Sequence, residues 1–289
     1  MEVMITGPAK EKFIACIDIL GYTSMKESAL AGTVITLPEL ANLRNLLCLP
    51  SDRDQFTIDG PTVCPCSRFL SRDLDFQIFH QQDDDSSIIS TEISPGGAIN
   101  LVRHCSALVL RLLKRGVLCR GSIIWGFIHH TSTSCEGPGR DDLIAREKLV
   151  RAFHGDENET GTPFVEVDHA VCEYVEFCED LCVKEMFSRH VEGDGETVAL
   201  FPFKRLVSPF LGSFGPRDVE KDKQSIRTIQ ELIGIMKTRV KSFMGKADEK
   251  ARRKCDHYLR ALDDQLTLCE EALDDLEAPF PSKNMADIS

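Results

Sequence analysis

No stretch of this 289-residue chain approaches the ~18 consecutive apolar residues of a membrane-spanning helix, and residues 1–12, MEVMITGPAKEK, have neither a basic start nor a leader-like apolar run. The expectation is a cytosolic protein. Basic blocks are also missing: 34 Lys and Arg stand against 46 Asp and Glu, a formal net charge of -12. A nucleic-acid surface replaces phosphate counterions with clustered cations, so this balance argues against one. An anionic substrate would need a metal cation as intermediary. Paired CxxC spacing is lacking too: Cys64-Pro65-Cys66, the run Cys172, Cys178, Cys182, and His129-His130 form no zinc-ribbon pattern. The twelve cysteines are scattered through apolar segments of a long chain, which reads as reduced core thiols rather than a disulfide framework. There is no internal repeat or long low-complexity tract, and the apolar content of 42% suffices for a sizeable core.

Hydrophobic period then gives the elements. Residues 13–19, FIACIDI, read as a buried strand stopped by Gly21, with Ile14, Cys16 and Asp18 on one face and Phe13, Ala15, Ile17 and Ile19 on the other. A helical stretch follows to about Leu47, with Leu40, Leu43 and Leu47 at helical spacing and Pro38 in its first turn. Residues 50–72 read as a polar loop or insertion, and 73–80 as a half-buried strand. Asp83, Asp84 and Asp85 occupy a hairpin turn before the strand SSIIST. Ser94-Pro95 opens a helix that runs to Gly116, and 117–128 return to a strand. The order is βαββαβ, the ferredoxin-like arrangement. Beyond it the pattern predicts a helix over 141–153, a strand FVEVD, a helix from about Ala170, a strand TVALFPF, and a helical hairpin over 219–276 broken near Gly245. The fold class expected is α/β (α+β): a ferredoxin-like core with an extended antiparallel sheet over 1–215 (core 13–140), then a helical region and tail over 216–289.

In that order the first and third strands are neighbours, so Asp18 and Asp85 could converge. Two carboxylates with the Ile19 carbonyl make a hard oxygen site suited to two Mg²⁺ or Mn²⁺ ions bridging substrate phosphates. The plainer alternative is that Asp18 caps the following turn and Asp83–Asp85 form a solvated hairpin tip. Arg120 is a charge inside an apolar strand and needs a partner, either on a neighbouring strand or on a second subunit. His80, Trp125 and His129 read as core or rim residues, and Tyr22 as packing beside the metal turn.

The segment CIDILGYTSM resembles the first-strand motif of class III nucleotidyl cyclases, Asp18, Ile19, Gly21, Tyr22 and Thr23 matching position for position. Asp84-Asp85-Ser86-Ser87-Ile88-Ile89-Ser90 and Leu118-Cys119-Arg120-Gly121-Ser122-Ile123 are similar to the hairpin and later strand of the bacterial antiphage (Pycsar) pyrimidine cyclases. The resemblance covers about residues 13–140. It implies metal ligation by Asp18, Ile19 and Asp85, and a homodimer whose sheet faces, bare of helices, pack together. Gly137-Pro138 is similar to the opening of the next family helix, but its usual continuation is replaced by Leu143-Ile144-Ala145-Arg146-Glu147, and the Asn and Arg expected one turn apart are missing. Arg120, Arg140 and Arg146 are the candidate phosphate stabilisers. The reaction implied is cyclisation of UTP, with CTP next, to a cyclic monophosphate that signals to a separate effector in antiphage defence. The alternatives are a purine cyclase and an inactive nucleotide-binding dimerisation protein.

Overall fold

The computed structural model describes residues 10–32, 35–48, 77–80, 86–128, 162–193, 195–204, 219–245 and 249–277. A continuous apolar run with β-branched Ile, buried on both faces, makes the first strand, β1 (Lys10–Ile19), which lies at the centre of the early sheet. Gly21 at φ 79 turns the chain out of it, a left-handed conformation that favours glycine, and two helices follow, α1 (Tyr22–Ala31) and α2 (Leu37–Cys48). The single helical stretch expected here is therefore two helices, separated at Gly32, itself at φ 66.

Next come β2 (Gln77–His80), β3 (Ser86–Thr91), α3 (Pro95–Lys114) and β4 (Cys119–Ile128). Helix α3 begins where its sequence signals put it: the Ser94 hydroxyl accepts from the Gly97 N–H at 2.9 Å, and Pro95 fills the first turn. It ends at Gly116, at φ 69. Strands β2, β3, β1 and β4 lie in that order and every pair among them is antiparallel.

The remaining elements are β5 (Val165–Val167), α4 (His169–Glu176), α5 (Leu181–Ser188), β6 (Val191–Gly193), β7 (Val198–Leu200), α6 (Val219–Met244) and α7 (Glu249–Glu277). The helix expected from Ala170 is two, each started by an aspartate cap: Asp168 accepts from Ala170 N–H and Asp180 from Cys182 N–H. Strand β6 was not expected; three residues are too few for a period to show. The whole sheet has seven strands in the order β2-β3-β1-β4-β5-β7-β6. Its extension is not antiparallel throughout, because β5 runs parallel to β4, Gly121 opposite Val165. Residues 129–164 separate them, well beyond the dozen or so a parallel crossover needs. The helix expected over 141–153 lies outside the described residues.

The two faces of β1 divide as its period predicts. Phe13, Ala15, Ile17 and Ile19 join residues of α1 to α5 in the main core, while Ile14 and Cys16 join Ile88, Ile124 and Ile128 on the opposite face. The five apolar members of that second face are buried, none being more than 5% exposed. A further core ties the α6–α7 hairpin to α3 through Leu110 and Leu113, to the residues flanking β4, β5 and β7 through Leu118, Phe164 and Phe201, and to β7 itself through Ala199, with Leu20 packed against it. Among the described residues no helix is long and apolar enough to cross a membrane.

Candidate functional site at the end of strand β1

Asp18 is the next-to-last residue of β1, opposite Ser86 of β3 on one side and Arg120 of β4 on the other. It lies on the face of Ile14 and Cys16 and is 7% exposed. Burying a carboxylate here requires compensation. Arg120 supplies it, its Nε donating to Asp18 Oδ2 at 2.9 Å, with about a third of the guanidinium-bearing side chain still in solvent. The partner that the sequence demanded for Arg120 is thus on the neighbouring strand of the same chain.

The geometry around the pair is tight. A methyl group on Gly121 would lie 2.0 Å from the Cys16 carbonyl oxygen, so only glycine lets β4 approach β1 beside Asp18. Leu20 N–H donates to the Leu118 carbonyl at 2.9 Å, which carries the strand pairing past Ile19, and the Met25 N–H donates to the Gly21 carbonyl at 3.1 Å to close the first turn of α1. Tyr22 is buried against the core beneath that turn.

Nearby thiols are inert. Burial pushes Cys119 up to about 12, the Asp18 charge adding to the effect, and burial raises Cys16 well above an ordinary thiol, with Cys105 contributing. Burial thus favours the thiol form of both sulfurs near neutral pH. Among the described residues no three of His, Cys, Asp and Glu come together as a metal-binding group. The donor chemistry of Asp18 fits one ligand position of a hard cation, an anionic oxygen at a strand end, and the described residues supply no second carboxylate. The β1–β3 register ends at Ser86, the residue after Asp85, and Asp85 itself lies outside the described residues, as do Asp83, Asp84, His129, Arg140 and Arg146. His80 is in β2, opposite Ser87.

Trp125 lies at the other end of β4, where its Nε1–H donates to Glu11 and its ring meets Phe13 and Tyr174 edge-on at 5.8 and 5.7 Å. It has no part in the Asp18 site. What sequence reasoning missed is the register that brings Arg120 onto Asp18, a pairing across 102 residues that no local pattern encodes. No protein-family model matches the chain, and no curated protein is found to be similar to it.

Proposed function

We propose that this chain is a class III-type nucleotidyl cyclase acting on a pyrimidine triphosphate, UTP before CTP, in antiphage signalling. The observation that carries the reading is Asp18 at the end of β1, held between Ser86 and Arg120 in the middle of a 2-3-1-4 antiparallel sheet. That strand order is the one a ferredoxin-like βαββαβ core produces, and it supports the cyclase resemblance of the segments around Asp18, Ser86 and Arg120.

In this reading Asp18, Asp85 and the Ile19 carbonyl hold two divalent ions, Mn²⁺ or Mg²⁺. Bound there, the ions supply a Lewis acid for the triphosphate oxygens and the ribose 3′-hydroxyl. Arg120 provides a guanidinium whose fork suits phosphoryl oxygens, and Arg140 and Arg146 are the further candidates. The 3′-hydroxyl gives its proton to solvent water, its oxygen forms a bond to the α-phosphorus, the bond to the bridging oxygen breaks, and pyrophosphate leaves. Positioning and charge neutralisation supply most of the acceleration.

A second reading, a nucleotide-binding dimerisation protein without turnover, draws on one observation: the closed Asp18–Arg120 pair engages a carboxylate oxygen that a metal would use. One experiment separates the readings. Purified protein is incubated with each of the four ribonucleoside triphosphates and Mn²⁺, and the products are resolved by mass. Cyclic UMP is expected; cyclic AMP or GMP as the main product overturns the pyrimidine assignment, and no pyrophosphate release from any triphosphate overturns the enzyme.

A further inference from the structure

Helices α4 and α5 meet at a short turn that presents two large apolar side chains to water. Phe177 is 80% exposed and Leu181 76%, the highest values for large apolar residues among the described residues. Folding does not account for them. Both helices already anchor themselves by Val171, Val175, Val183 and Phe187, which are buried in the main core. Isolated exposed apolar residues are ordinary, but these two stand four positions apart at one turn.

The charge around them is of one sign. Between 173 and 185 the chain has Glu173, Glu176, Glu179, Asp180 and Glu185 against Lys184 alone. Three of these carboxylates have work within the fold: Glu173 faces His169, Asp180 caps α5, and Glu185 faces Arg189. Glu176 and Glu179 are exposed and form no ion pair among the described residues. An apolar pair with two such carboxylates interleaved along the turn is complementary to an apolar stripe flanked by Lys or Arg.

We propose that the α4–α5 turn is a docking site for a basic amphipathic helix of a partner protein, whose apolar face covers Phe177 and Leu181 and whose cations meet Glu176 and Glu179. A second copy of this chain is a poor occupant, because a two-fold contact would set the acidic rim against itself. An anionic membrane surface is repelled for the same reason. The site uses none of the residues of the phosphoryl-transfer reading and stands or falls apart from it.

The test titrates the full chain into a labelled Leu/Lys amphipathic helical peptide at physiological salt, with a Leu/Glu peptide of the same apolar face as control. Binding of the Leu/Lys peptide alone is expected. The charge-neutral double variant Phe177→Ser, Leu181→Ser should weaken it by about tenfold or more, and Glu176→Lys with Glu179→Lys should transfer preference to the Leu/Glu peptide. Both serine substitutions are on solvent-exposed side chains, and melting curves check that the variants fold; if the serine pair melts early, the charge-reversal pair decides. Undiminished binding by a folded serine pair overturns the proposal. So does an equal loss in Leu268→Ser, an exposed apolar residue of α7, which would mean apolar capture with no preference for the α4–α5 turn.

Discussion

At Gly121 a single hydrogen is all that fits between β4 and the Cys16 carbonyl. Gly121→Ala must therefore push two central strands apart, a loss of about 1–3 kcal/mol or more by the usual cost of overpacking. Gly21→Ala meets no atom within 4 Å but holds alanine at φ 79, at a cost of about 1–2 kcal/mol. Urea denaturation of both variants should rank Gly121 as the more damaging. At Asp18, substitution by Asn keeps an acceptor for Arg120 while removing the charge. Turnover should fall by at least about a hundredfold with only a small change in melting temperature, and Arg120→Ala should fall comparably. A fully active Asp18→Asn protein would end the metal assignment. Acid sensitivity has another residue at its centre. His104 is buried in α3, and burial, with Arg111 repelling a second cation, holds its imidazole down at about 4 instead of 6.5. A depressed folded value means stability is complete above about 6.5 and declines as pH falls toward about 4, because only the unfolded chain takes up the proton there. Denaturation midpoints measured across that window should drop, and a His104→Gln variant should lack that part of the slope.

Among the elements, the α6–α7 hairpin meets the β7 end of the sheet at an aromatic cluster within its wider core. Tyr258 of α7 stacks on Phe164 at 4.7 Å, meets Phe201 edge-on at 5.3 Å, and donates its hydroxyl to the Leu200 carbonyl at 2.9 Å. The Lys254–Glu166 pair at 2.7 Å lies beside it, partly exposed, and adds little. Tyr258→Phe should cost about 1 kcal/mol through the lost hydrogen bond, whereas Tyr258→Ala should cost about 3–5 kcal/mol and loosen the hairpin first. Hydrogen exchange reads the difference: amides of α6 and α7 should lose protection ahead of β1. Uniform loss across the chain would mean that hairpin and sheet unfold as one unit. Leu20 and Leu118, which pack with this hairpin core, flank the Asp18–Arg120 end of the strands, so loosening of α7 should also reach the site.

For the whole molecule a homodimer remains our proposal; the apolar residues of the Ile14 and Cys16 sheet face are buried already in the single chain. Sedimentation should give the dimer mass. Mixing Asp18→Ala with Arg120→Ala chains should not restore activity, because the two side chains touch within one protomer. Rescue would mean that Arg120 serves the partner's site in the active state.

The period of β1 in the sequence already placed Asp18 on the face opposite Phe13 and Ile17, and Ser94, Pro95 and Gly116 already bounded α3. Those assignments depend on neighbours a few residues apart, where backbone geometry and capping chemistry are local. The hairpin over 219–276 was legible for the same reason. Three features belonged to the tertiary structure alone: the meeting of Arg120 with Asp18, the parallel course of β5 beside β4, and the burial of the apolar residues on the second sheet face. Each is a choice of register or neighbour between segments distant in the chain. Such a choice is decided by which pairing buries the most apolar surface with every polar group satisfied, and no single segment carries that information.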